Sequence, residues 1–133
     1  MNYWIIKSEP STYSWQQFVK DGKTTWDGVR NYQARNNLKM MELGDVCMYY
    51  HSNEGKEIVG LATVCATHYP DPNDPKWVVV DMLPQKKLER GVGLQQLKTD
   101  DQLQNLPLIR HSRLSVMPIT EQEFDRIVFL SNS

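Results

Sequence analysis

At 133 residues and 15.5 kDa the chain has the size of one domain, enough for a single core and too short for two. Hydrophobic residues make up 40% and charged residues 23%, with no low-complexity tract, which excludes a disordered chain. A net charge of -1 excludes a protein that grips nucleic acid over its whole surface through phosphates, so any such binding is confined to a patch.

The first apolar run, Tyr3 to Ser8, reads as a strand that stops at Glu9-Pro10, because proline lacks a ladder donor and fixes its own φ. Ser14 with Gln17 has capping-box spacing and Tyr13 with Phe18 occupies the staple positions, predicting a short helix from Trp15 to about Lys20, ended by Asp21-Gly22. Ala34, Leu38 and Met41 then recur at the spacing of one helical face. After the Gly44-Asp45 turn, Val46 to His51 alternates as a strand, and Glu54-Gly55-Lys56 turns it into a long run from Ile58 to Tyr69, where Gly60 invites a bulge or a close approach. Pro70, Pro72 and Pro75 among Asp71, Asn73 and Asp74 predict a loop, and Trp77 to Leu83 a further strand. Gly91-Val92-Gly93 reads as a loop that needs positive φ. Leu94, Leu97, Leu103 and Leu106 suggest short helical turns, Arg113 to Met117 a last strand, and Thr120 to Leu130 a closing helix with a Thr120/Glu123 capping box. Without regular βαβ alternation, these elements point to a mixed, mainly antiparallel barrel or sheet with helices outside.

No stretch is long and apolar enough to span a bilayer, and no basic leader precedes Tyr3, so the chain is expected to be soluble and cytoplasmic. Cys47 and Cys65 sit in apolar alternating segments without zinc or redox spacing, which suggests buried thiols. His51, His68 and His111 lack metal-ligand spacing, and no nucleophile elbow or dinucleotide fingerprint is present, so neither a metal nor another cofactor is called for. Asp81, inside the apolar Val78 to Leu83, either faces solvent or is paired with a donor such as an arginine or a base amino group.

One uninterrupted stretch stands apart. From Trp26 to Asn37, aromatic, amide and guanidinium groups crowd onto a turn and a helix start, a mixture poorly suited to a core and well suited to the face and edge of a nucleobase. From Trp26 to Met41, Arg30, Arg35 and Lys39 outnumber Asp27, a local positive patch and a candidate for contacts to a phosphate backbone.

Tyr3-Trp4 with Lys7-Ser8-Glu9-Pro10, the run from Thr25 to Asn36, Tyr50-His51-Ser52-Asn53, Tyr69-Pro70-Asp71, Pro75-Lys76-Trp77 with Val80-Asp81, and Arg113-Leu114-Ser115-Val116 together resemble the EVE domain family across almost the whole chain. The resemblance implies a single domain over residues 1–133 of the α+β class, a PUA-like, mainly antiparallel β-barrel with peripheral helices, related to the YTH domains that recognise methylated adenine in RNA. It implies a non-enzymatic reader of a modified base, modified cytosine in DNA being favoured and RNA the alternative polymer; separately from the resemblance, the chain is expected to be a monomer. Carried over by residue, Trp26 would lie bare as a wall of the pocket, with Lys7, Ser8, Glu9 and the segment from Asp27 through Gly28, Val29 and Arg30 to Asn31 at its rim. Tyr32, Arg35, His51, Ser52, Trp77 and Asp81 complete the candidate set. A small-molecule sensor, or an enzyme acting on a nucleobase with Glu9, Asp27 or Asp81 near His51, remains open at this stage.

Overall fold

In a computed structural model describing residues 1–133, six segments pair into one sheet: β1 (Tyr3–Ser8), β2 (Thr24–Trp26), β3 (Val46–His51), β4 (Glu57–Asp71), β5 (Asp74–Gly93) and β6 (Val116–Ile119). Their order across the sheet is β2-β5-β4-β3-β1-β6, antiparallel except where β1 lies parallel to β3. β1, flanked by β3 and β6, buries Trp4, Ile5 and Ile6 in succession, as a strand covered on both faces must. Around the sheet run α1 (Trp15–Asp21), α2 (Tyr32–Met40), α3 (Leu94–Thr99), a short 3-10 turn at Asp101–Leu103, α4 (Pro107–Arg110) and α5 (Glu121–Ser131).

The helix signals act at close range. Ser14 Oγ accepts the Gln17 N–H at 3.0 Å, although the Gln17 side chain reaches forward to Asp21 instead of completing the box. Thr120 and Glu123 form the full reciprocal capping box of α5, and Tyr3 stacks on Phe124 to hold that helix against β1. The face of α2 that carries Ala34 and Leu38, with Met41 beyond it, is buried as its spacing predicts.

The proline-rich segment is not a loop. β4 continues to Asp71 and β5 resumes at Asp74, leaving a two-residue tip at Pro72-Asn73, where the Asn73 N–H donates to Asp71 Oδ1 at 2.9 Å. Pro70 still pairs opposite Val78, with a register shift next to it: a proline loses one donor but keeps its carbonyl. Gly91 and Gly93 likewise belong to β5 and neither has positive φ; at Gly91 a side chain would run into the Glu57 carboxylate. The last strand begins at Val116 rather than Arg113, and Trp26 sits in a short strand where only a turn was foreseen. Gly60 meets both of its expectations, lying at register shifts in β3 and β4 and leaving room for the Trp15 indole against its backbone.

Repeated register shifts along the β4–β5 hairpin bend the sheet until its two ends approach each other. Helix α2 spans the gap, packing on β5 and on β6, and Asn37 Nδ2 donates to the Val116 carbonyl of edge strand β6 at 2.7 Å. This is how a six-stranded sheet becomes barrel-like without full closure.

Asp45 ties the start of β1 to the start of β3. Only 1% exposed, its carboxylate accepts the backbone N–H groups of Asn2 (3.0 Å) and Glu42 (2.9 Å) and the Trp4 indole N–H (3.0 Å). Burial pushes its pKa up, but the three donors outweigh burial and hold it below the ordinary carboxylate value. Because the folded-state pKa lies below that of the unfolded chain, this stabilisation is complete above about pH 4 and is lost as pH falls through the folded value. Asp45→Ala is expected to lower unfolding free energy by about 3 kcal/mol at pH 7. The deficit relative to the parent should shrink at pH 3, as read by denaturant titration at both pH values.

Candidate nucleic-acid interface

Where the two ends of the sheet approach, a cavity of about 430 Å³ opens. The end of β1 supplies Lys7 and Ser8, β2 supplies Thr24, Thr25 and Trp26, and the turn after β2 supplies Asp27 to Arg30. Thr12 and Tyr13 from the segment before α1, and Ser115 before β6, complete it. Only three of its twelve lining residues are hydrophobic, so the space suits a flat polar molecule rather than a lipid.

Trp26 is a wall of this cavity but not a bare one. Its side chain belongs to the core, 8% exposed, and meets Tyr49 edge to face with centroids 5.5 Å apart at 84°. The β2–β5 pairing, Trp26 opposite Val80, fixes its backbone. The indole is therefore a rigid, almost wholly buried wall of the cavity. Gly28 adopts φ +76° with open space where a side chain would be, so the turn that presents Asp27 and Arg30 rests on a conformation that glycine accepts without strain.

The polar groups divide between free and engaged. Asp27 is exposed at the rim. Lys7 Nζ donates to the Ser112 carbonyl at 2.7 Å, and burial holds its pKa below the usual lysine value. Ser8 Oγ donates to the Tyr13 carbonyl at 2.8 Å. Thr25 Oγ1 donates to Asp81 Oδ1 at 2.9 Å, and the Tyr69 hydroxyl donates to the same oxygen at 2.6 Å, with Lys23 Nζ 3.7 Å from the other oxygen. Asp81 is thus paired by hydroxyls and a lysine, braced behind β2.

Of the residues singled out in sequence, Lys7, Ser8, Trp26, Asp27, Gly28, Val29 and Arg30 converge on the cavity and the others do not. Glu9 is an exposed turn former whose carbonyl accepts the N–H groups of Thr12 and Tyr13. Asn31 caps α2, accepting the Ala34 N–H at 2.9 Å. The Ser52 N–H donates to the Ser8 carbonyl, behind the cavity. His51 Nε2 accepts the Trp15 N–H at 3.0 Å. Tyr32 and Trp77 stack on each other outside it, centroids 5.1 Å apart at 28°, with Arg35 over the Tyr32 ring. Val29 lines the cavity as part of the Asp27 to Asn31 segment expected at its rim, while sequence reasoning missed Thr12, Thr24, Thr25 and Ser115 as lining residues and read Tyr13 only as a staple. Nothing in their local pattern marks them, since chain segments far apart in sequence bring them together.

No three His, Cys, Asp or Glu side chains group as a metal site, and no helix is long and apolar enough to cross a membrane. Burial lowers the His51 pKa below 6.5 while Glu57 opposes it weakly, so its imidazole stays neutral in the fold and its acceptor nitrogen stays available. With the folded pKa below the unfolded one, this contribution is present above about pH 6.5 and is lost as pH falls through the folded value. An NMR titration should find the His51 ring titrating below 6.5, with the Trp15 amide shifting in step; a His51 midpoint above 6.5 contradicts this geometry.

An EVE domain family model matches residues 2–130. Thymocyte nuclear protein 1 of Mus musculus is 36% identical, over 99% of this chain and 74% of its own length. A crystal structure of an Agrobacterium tumefaciens protein superposes with a TM-score of 0.96 at 40% identity, covering 98% of this chain and 93% of that one. The human THYN1 protein, solved in complex with 5-methylcytosine-containing DNA, superposes with a TM-score of 0.88 at 32% identity, covering 100% of this chain and 99% of that one. With a PUA-like fold and a match that runs from end to end, the chain belongs to the EVE domain family.

Proposed function

We propose that this chain is a non-enzymatic reader of a modified base, with 5-methylcytosine in DNA as its ligand, and that the base is extruded from the strand into the Trp26 cavity. The cavity carries this reading: about 430 Å³ of space, one rigid indole wall and a mostly polar rim. The human relative bound to 5-methylcytosine-containing DNA supports the choice of ligand. A cytosine edge presents an amino donor beside acceptors, and a carboxylate is the natural partner of that amino group. Asp27 supplies the carboxylate. Lys7, with one of its three N–H bonds on Ser112, retains donors for the acceptors. Trp26 takes the ring face, and Val29 adds an apolar surface for the methyl group.

Of the acid-base groups of a rival nucleobase enzyme only Asp27 lines the cavity, without a second such group beside it: His51 is held by the Trp15 amide, Asp81 by Thr25 and Tyr69, and Glu9 lies outside. A modified oligonucleotide incubated at length with the protein is expected to keep its mass. The animal relatives carry the word nuclear in their name, which does not favour the cytoplasmic location expected from the sequence.

Burying one methyl contributes about 0.8 kcal/mol, which is about a fourfold preference for methylated over plain cytosine. Asp27→Ala removes an exposed side chain and should leave the fold intact while weakening binding of the methylated oligonucleotide about tenfold, within the ~1–3 kcal/mol of one good base-edge contact. Trp26→Ala also opens a hole in the core at about 3–5 kcal/mol, so Trp26→Phe is the cleaner variant: it keeps packing against Tyr49 and shrinks the stacking face. Affinities measured against matched oligonucleotides with plain, methylated and hydroxymethylated cytosine decide it. Equal binding of all three by the parent protein would falsify the reading.

A further inference from the structure

Beside the cavity, α2 and the β4–β5 hairpin bring a second group of side chains together. Tyr32 stacks on Trp77, and three cations surround the pair. The Arg30 guanidinium lies 5.5 Å from the Trp77 centroid, Arg35 lies 4.9 Å from Tyr32 and 5.9 Å from Trp77, and the Lys76 ammonium lies 5.6 Å from Tyr32 and 5.9 Å from Trp77. These cations are not equivalent. Arg30 is neutralised by Asp71, a buried carboxylate 3.2 Å away, and its other terminal nitrogen donates to the Val29 carbonyl. Arg35 and Lys76 form no ion pair. Arg35 is moreover poorly satisfied: its Nε is buried without a partner, and its two terminal N–H contacts, to the Lys76 carbonyl and Asn36 Oδ1, both stretch to 3.4 Å.

Two like charges held over one aromatic pair repel each other, and cation–π attraction offsets only part of that. An anion between them would relieve the repulsion and give the two terminal guanidinium nitrogens, whose present contacts are stretched, closer partners, which is how arginine takes a phosphate in fork fashion. The place of this group in the molecule identifies the anion. Arg30 both lines the Trp26 cavity and touches Trp77, so the group borders the cavity mouth. Tyr32 leaves 53% of its surface exposed there, a flat face open to a neighbouring sugar or base.

We propose that Arg35 and Lys76 grip one phosphodiester of the strand whose base enters the Trp26 cavity, with the exposed Tyr32 ring against the adjoining nucleotide. This rests on the base-reading function above and assigns its backbone contact. It replaces two candidates suggested by sequence: Arg30 is already engaged with Asp71, and Lys39 lies in the last turn of α2, where it complements the helix terminus. It adds Lys76, which the helical stretch does not contain.

The test uses the full chain and its Arg35→Gln, Lys76→Gln and double variants. Each is titrated at several salt concentrations with oligonucleotides carrying one methylated or one plain cytosine. The double variant should bind both about tenfold more weakly with their ratio preserved. Its slope of log affinity against log salt should fall by about 0.7 for a single strand or 0.9 for a duplex, the signature of one lost phosphate contact. A neutral methylphosphonate next to the target cytosine should weaken the parent protein and leave the double variant unaffected. Lys76 is exposed, so its single variant keeps the test valid if replacement of Arg35 impairs folding. An unchanged salt slope in Lys76→Gln and the double variant overturns the proposal, as does inorganic phosphate competing as well as the strand. A parent protein that ignores the methyl group but keeps an Arg35- and Lys76-dependent slope leaves the phosphate grip standing and removes the base reading. Preference for methylcytosine with an unchanged slope does the reverse, and absence of any oligonucleotide binding removes both.

Discussion

The ring of Tyr49 is the contact on which the rest of the site depends. Fully buried in β3, it is met by Trp15, Phe18, Trp26 and His51, all with centroids between 5.5 and 5.7 Å. Each such pair contributes about 0.5–1.5 kcal/mol beyond simple burial. Its hydroxyl donates to the Tyr13 carbonyl at 2.7 Å, the same oxygen that takes the Ser8 hydroxyl, so a cavity-lining segment hangs from the centre of the sheet. Burial pushes the phenol pKa up to about 12, which keeps that donor protonated at every pH at which the protein would act. The Trp26 wall is consequently positioned before any ligand arrives, and no aromatic side chain has to be ordered on binding.

From this centre the conspicuous stretch after Trp26 divides by function. Trp26 to Arg30 form one side of the cavity, Asn31 turns the chain by capping α2, and Tyr32 and Arg35 emerge on the outer side against Trp77 of the hairpin. The Arg30–Asp71 pair joins the two groups, tying the turn to the hairpin tip. Asp71 has its pKa held down by the Asn73 N–H first and by Arg30 after it, so the tip contains its own counter-charge and does not add to the positive surface. What remains positive is small and local. This is how a protein with a net charge of -1 presents cations at a single rim.

Much of this was readable in the chain because its signals are short-range. Caps at Ser14 and Thr120, the apolar spacing of α2 and the alternation of β3 each depend on residues a few positions apart. Trp26, Asp27, Gly28 and Arg30 were legible for the same reason, as one continuous motif. Errors arose where pairing partners lie far off. Pro70 and Pro75 look like loop formers in isolation, yet the antiparallel hairpin absorbs them through register shifts; Gly91 looks like a turn residue, yet it is small because Glu57 lies against it. Asp45 looked like half of a turn signal and proved to be a buried acceptor for three donors, two of them from the N-terminal strand region. Thr12, Thr24 and Ser115 carry no local mark, because sheet curvature alone brings them to one cavity.

The burial of Trp26 also limits how such a site can discriminate. With Trp26 all but buried and Tyr49 packed edge to face with it, a base entering as proposed would meet only the part of the indole that lines the cavity, and base–aromatic stacking supplies about 1–3 kcal/mol. Removing a nucleotide from a helix costs a few kcal/mol, so that contact offsets the extrusion and leaves little over. A single methyl adds less than the stack does. In the proposed complex, net affinity would come from the edge contacts and the backbone grip, and base identity from the edge alone, because phosphate contacts are indifferent to sequence. A rigid wall with polar groups at its rim and a separate pair of cations outside is the arrangement that keeps those three contributions apart.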